Sequence, residues 1–304
     1  MQRYLKHNIP LYADRRKDFA PERELIYDYK NDESTGRNVQ IEGSVLGTKI
    51  VPGRLWTPFC EKLYVGYGAN GVRLPDITHA PNQSLDFVNR LPGCERLEVQ
   101  DVGKIDLSPL TGNKTLVDLE LPSFGSIGDF DLSSLPNLRR CHIPLIPQLW
   151  SFIKCQKLDS LCLDGGKHEG ILDLAPLTEL REFQCLQIKK LTGVRLSQKV
   201  RFLSLVLAGM KDFESIEPLN AAYEELRVVS LEKVPNFNID WLSRAEKAEC
   251  ISLALKLPSI KFLGGLKKLQ VLCMFGSKVE DGDYSVRDAL KNELDPYLWG
   301  TGKM

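Results

Sequence analysis

Leu158-Asp-Ser-Leu161-Cys-Leu163, Leu116-Val-Asp-Leu119-Glu-Leu121 and Leu269-Gln-Val-Leu272-Cys-Met274 share one pattern: an apolar residue, two variable ones, then apolar, variable, apolar. Further copies begin at Cys94, Leu138, Leu180, Val200, Leu226 and Ala248, and successive starts lie 22, 22, 20, 22, 20, 26, 22 and 21 residues apart. A unit this short cannot bury its own apolar side, so each copy must stack on the next. Within a copy the alternation is that of a strand. Positions 1, 4 and 6 point into the core, and positions 3, 5 and 7 point outward. The remaining residues return the chain so that the next strand runs parallel.

This period, headed by LxxLxL, resembles the leucine-rich repeat. Asp106-Leu-Ser-Pro-Leu110 and Asp173-Leu-Ala-Pro-Leu177 are similar to the short-repeat subclass of internalin-type and phosphatase-regulatory repeat proteins. The resemblance spans residues 59–278. It implies a right-handed α/β solenoid with a parallel sheet on the concave face and short helical turns or irregular returns on the convex face. Proline in Ser108-Pro109-Leu110, Ala175-Pro176-Leu177 and Glu217-Pro218-Leu219 suits the first residues of such turns, where its missing N–H is not needed. One family feature is missing. The asparagine three residues beyond the last strand leucine is replaced by Val102, Phe124, Ile146, Gly166, Ile188, Ala208, Val234, Lys256 and Ser277. The turns must satisfy their backbone in another way.

Solenoid ends need covering, which assigns residues 1–58 to an N-terminal capping segment and 279–304 to a C-terminal one. In the first, Asn31–Arg37 reads as a loop, and the alternation over Val39–Val51 predicts a β-hairpin. In the second, Val286, Leu290 and Leu294 predict an amphipathic helix, with Tyr297 and Trp299 closing over the last repeat. A tenth, degenerate copy is expected at Cys60-Glu-Lys-Leu63-Tyr-Val65, followed by a helix that Ser84 caps and that buries Leu85, Val88 and Leu91.

Forty basic residues balance forty acidic ones, which argues against a nucleic-acid partner. No N-terminal apolar run marks a signal peptide, and no segment approaches the ~18 apolar residues of a membrane span. The eight cysteines form no CxxC pair and suit a reducing, cytoplasmic setting. Gly66-Tyr-Gly68-Ala-Asn-Gly71 matches a dinucleotide fingerprint, but Pro75 interrupts the helix that a phosphate cradle requires. The histidines at 7, 79, 142 and 168 are scattered, and Ser204, Ser230 and Ser252 form an outward column with no base in reach. No catalytic residue, cofactor or metal is expected.

The outward columns change along the chain. Early copies present Arg96, Glu98, Asp118, Glu120, Arg140, His142, Asp164 and Glu182; later ones present Phe202, Val228, Cys250, Val271 and Phe275. An apolar strip of that extent marks an interface. The expected function is a non-catalytic scaffold that binds another protein on its sheet, as an inhibitor, immunity protein or regulator. The candidate contacts are Arg96, Glu98, Asp118, Glu120, Arg140, His142, Asp164, Glu182, Phe202 and Phe275. A homodimer that buries the apolar half is the alternative.

Overall fold

The computed structural model describes residues 26–44, 47–53, 55–74, 84–100, 104–121, 126–218, 223–274 and 276–291. The chain forms two compact units, divided between Lys167 and His168.

In the first unit β1 (Ile26–Asp32), β2 (Arg37–Ser44) and β3 (Gly47–Val51) form an antiparallel meander. The predicted hairpin is its second half, and the predicted loop is the turn between β1 and β2. Next comes α1 (Pro58–Gly66), which corrects the expected tenth strand at Cys60–Val65. Thr57 caps this helix by accepting from the Cys60 N–H at 3.3 Å, and Pro58 occupies its first turn. The helix buries Cys60 and Tyr64, four residues apart, and leaves Val65 in solvent. Trp56 stacks on Phe87 with ring centroids 4.6 Å apart.

The strand expected there is instead β4 (Gly71–Leu74), which pairs in parallel with β3 and with β5 (Arg96–Val99). After β6 (Lys104–Ile105) the sheet continues in parallel through β7 (Asp118–Glu120), followed by β8 (Ser126–Ile127). It then runs through β9 (Arg140–Leu145) to β10 (Ser160–Leu174). The pair β6–β8 forms a second ladder. Returns are short 3₁₀ turns at Asp86–Arg90, Ser108–Leu110, Leu132–Ser134 and Pro147–Lys154. Leu85, Val88 and Leu91 are buried around the first of these as expected, but the expected helix is a short 3₁₀ turn with Leu85 at its N-cap, and Ser84 accepts from the Asp86 N–H at 3.1 Å just before it.

In the second unit β11 (Glu182–Leu186) precedes β12 (Lys189–Leu196), and β13 (Ser204–Ala208) precedes β14 (Ser215–Glu217). They are followed by β15 (Val228–Glu232), β16 (Cys250–Ala254), β17 (Lys256–Leu257), β18 (Val271–Cys273) and β19 (Lys278–Val279). Strands β11, β13, β15, β16 and β18 pair in parallel, with β12–β14 and β17–β19 as side ladders. The helix α2 (Ser285–Lys291) follows, its first N–H held by Asp283 at 2.9 Å. Leu294, Tyr297 and Trp299 lie outside the described residues. Of the proline turns, Ser108–Leu110 is a 3₁₀ helix, while Pro176 sits in a plain turn.

Each coil is therefore of the leucine-rich-repeat type, and positions 1, 4 and 6 form the core: Leu116, Leu119 and Leu121, or Leu226, Val229 and Leu231, are essentially inaccessible. One coil changes frame. Glu182 pairs with Ser204 and Phe183 with Leu205, so the coil starts at Phe202 and not at Val200. The starts then run Leu180, Phe202, Leu226, at intervals of 22 and 24. Leu203, a core position in the other frame, is only half-buried. Its carbonyl accepts from the Arg227 N–H at 3.0 Å, as the Arg181 carbonyl accepts from Leu203 at 2.7 Å.

The missing asparagine ladder has a replacement at position 8. Gly165, Gln187, Gly209, Lys233 and Gly276 all adopt the left-handed conformation there, with φ between 51° and 76°. This turns the chain while keeping its amides in the ladder. Gln187 donates to the Ala208 carbonyl, Gly209 to Glu232 and Lys233 to Ala254, at 2.8, 2.8 and 3.2 Å. In the last coils the Ser277 hydroxyl does the work of an amide side chain, accepting from the Leu255 N–H and donating to the Leu253 carbonyl.

Candidate functional site

The outer face of the first unit is a ladder of paired charges. Parallel register places Arg96, Asp118, Arg140 and Ser160 in one row across β5, β7, β9 and β10. Arg73, Glu98, Glu120, His142 and Cys162 form the next row, across β4 to β10. In the first row Arg140 Nε donates to Asp118 at 3.1 Å, and Arg96 donates to the Asn70 side-chain carbonyl at 2.9 Å. Burial pushes the Asp118 carboxyl up, against the pull of Arg140.

The second row sets two glutamates side by side, an arrangement that repels unless each finds a cation. Glu98 finds two: Lys49 at 2.8 Å and Arg73 Nε at 3.2 Å, while the other end of Arg73 reaches Glu42 at 2.8 Å. Glu120 turns to His142, whose Nδ1 lies 3.3 Å away, and the Nε2 of the same ring lies 3.7 Å from Asp164. Burial disfavours charge on this imidazole, but hydrogen bonds with Asp164, Cys162 and Glu120 outweigh it and raise its pKa to about 12. The flanking carboxylates thus favour the charged imidazolium of His142. With it, five carboxylates (Glu42, Glu98, Asp118, Glu120 and Asp164) meet four cations (Lys49, Arg73, Arg140 and His142), and Arg96 lies in the same rows with its guanidinium on Asn70.

This arrangement decides what the row Glu120–His142–Cys162 can do. A nucleophilic cysteine needs a depressed pKa and a neighbouring base. Burial instead raises Cys162, and the ring of His142 lies between two carboxylates that favour its charged form, which cannot act as a base. The row is a charge clamp. Among the described residues no three His, Cys, Asp or Glu side chains form a metal set.

Gly71, the last glycine of the fingerprint-like motif, has a role here. A side-chain carbon on it would meet Lys49 Cγ at 3.0 Å and Arg96 Cβ at 3.2 Å. Its bareness lets both cations cross the sheet, while Gly68 makes the left-handed exit from α1 at φ 58°. Gly71→Val is expected to cost about 1–3 kcal/mol by overpacking, measured by urea denaturation.

Of the expected contacts, the structure brings Asp118 to Arg140 and both Glu120 and Asp164 to His142, while Arg96 and Glu98 are buried within the ladder. Glu182 is half-buried on β11. Phe202 is a correction. At position 1 of its coil it is 1% exposed and stacks on Phe183 with centroids 6.0 Å apart, so it presents nothing to a partner. Phe275 lies outside the described residues, as do His7 and His79. Sequence reasoning missed Glu42, Lys49 and Arg73, because the meander and β4 fall outside the repeat pattern. The alternation Val39-Gln-Ile41-Glu was the available signal.

Among the described residues the second unit's outer face is mostly uncharged. Ser204, Val206, Val228 and Ser230 are buried, whereas Cys250, Ser252, Ala254, Val271 and Cys273 are half-buried and remain accessible. The eight cysteines are all free thiols. Among the described residues no helix is long and apolar enough to cross a membrane.

No family model matches this chain, and no curated protein matches it. Among solved structures, the crystal structure of an internalin (inlF) from Listeria monocytogenes is similar over 74% of this chain and 77% of that one, at 16% identity and a TM-score of 0.42. That likeness concerns the fold at most.

Proposed function

We propose that this chain is a non-catalytic scaffold that holds another protein on the outer face of its sheet, acting as an inhibitor, immunity protein or regulator. The observation that carries this reading is the uncharged strip on β16 and β18. Five successive outward positions, Cys250, Ser252, Ala254, Val271 and Cys273, are accessible and bear no ionisable group other than thiols. A sheet face left to water ordinarily alternates core residues with charged ones. The partner is therefore expected to present small apolar side chains to this strip. In the first unit the charges contribute rigidity and selectivity, because most of them already lie against an opposite charge within the chain and gain little from a new ion pair.

Tagged chain recovered from its native cells, together with a Val271→Asp/Cys273→Asp variant, tests the proposal. The partner held by the parent is expected to be lost by at least tenfold from the variant, while thermal stability changes little. Equal recovery would rule out the strip as the contact.

A further inference from the structure

We propose that β1 is a self-association edge, on which a second copy of this chain pairs antiparallel about Tyr29. Among the described residues β1 pairs with β2 alone. Its flank exposes apolar surface: Tyr29 is 57% accessible, and Tyr67, whose hydroxyl reaches Asp28, is exposed beside it. An open strand edge beside such a patch is a template for another strand.

The occupant follows from backbone direction and charge. The Tyr29 N–H donates to its own neighbour, the Asp28 carboxylate, at 2.8 Å, and so is directed away from the β2 ladder. Strand alternation then turns both Tyr29 backbone groups to the open edge, where a two-fold axis would make Tyr29 opposite Tyr29 a hydrogen-bonded pair. In that register Asp28 of each copy faces Lys30 of the other. Asp-Tyr-Lys is its own complement when read antiparallel, and the two charges are exposed and already meet within one strand at 3.0 Å. Release of the Tyr29 N–H by Asp28 exchanges the two local pairs, one in each copy, for two pairs between copies. Tyr67, which donates to Asp28 at 2.6 Å, lies beside the seam.

A seven-residue strand contact is small, below the roughly 1,200 Å² of standard interfaces, so the dimer should be weak. Sedimentation equilibrium of the full chain between about 1 µM and 1 mM should show a monomer–dimer equilibrium. Asp28→Lys and Lys30→Asp, each alone, set like charges opposite one another twice and should weaken it about tenfold or more. The combined Asp28→Lys/Lys30→Asp exchange should restore it. Under mild oxidation Tyr29→Cys should give a covalent dimer that the parent does not. Tyr29 is exposed and the Asp28 and Lys30 side chains are partly accessible, and unchanged melting would confirm folding. A chain that stays monomeric throughout, a dimer indifferent to both single changes, or a failure of the exchange to restore it would overturn the proposal. Dimerisation through another face would appear as the second of these results.

Discussion

Replacing Phe202 by alanine is expected to destabilise the chain by about 3–5 kcal/mol, as for other buried aromatic side chains, whereas Leu203→Ala should cost only about 1 kcal/mol for a half-buried leucine. The order of these two numbers tests the frame of the coil. Two overlapping stretches fit the repeat, Val200-Arg-Phe-Leu203-Ser-Leu205 and Phe202-Leu-Ser-Leu205-Val-Leu207. In the first frame Leu203 is core and Phe202 is surface, so the costs would reverse. In the structure Phe202 heads the coil and lies against Phe183, while Leu205 and Leu207 are both inaccessible. Urea denaturation of the two single variants, with slopes compared to the parent, reads the difference directly. A larger loss for Leu203→Ala would place the coil back at Val200.

His142→Gln is expected to cost about 2–3 kcal/mol near neutral pH, between the value of an exposed ion pair and that of a fully buried one. It leaves Glu120 and Asp164 facing each other across a neutral side chain. The pH dependence carries more information. The folded pKa of His142, about 12, stands above the ordinary histidine value of about 6.5. A raised pKa contributes stability that is complete below about pH 6.5 and is lost as pH rises toward the folded value. Asp118, raised by burial, adds a contribution of the same sign confined to the acid range. The parent should thus be most stable in mildly acidic solution, where Glu120 and Asp164 are still ionised, and its melting temperature should fall steadily above neutrality. His142→Gln should flatten that decline. Imidazole NMR resonances should show no titration between pH 6 and 8; a midpoint near 6.5 would remove the clamp from this account.

The coil itself was legible because apolar spacing is a local property. Leucines at positions 1, 4 and 6 announce a strand with one buried side, whatever their neighbours are. The frame of the Phe202 coil was not legible for a related reason. A shift of two residues preserves strand parity, so both frames send Ser204 and Val206 outward, and only contact with Phe183 separates them. Likewise Cys60-Glu-Lys-Leu63-Tyr-Val65 satisfies a strand pattern, yet the Thr57 cap, Pro58 and a buried Cys60–Tyr64 face make it helical. Local capping there outweighs a loose match to the repeat.

The same division holds for the candidate site. That Arg96, Glu98, Asp118, Glu120, Arg140, His142 and Asp164 face outward followed from alternation. That they satisfy one another did not, nor did the part played by Lys49, Arg73 and the bare Gly71. Sequence by itself determined the stacked parallel coil, because burying leucines of fixed period leaves few other arrangements. Only the tertiary structure decided which outward residues meet. Those contacts join side chains 22 to 49 residues apart in the chain, and the repeat pattern fixes which positions face outward without saying which of their charged ends reach one another across the strands.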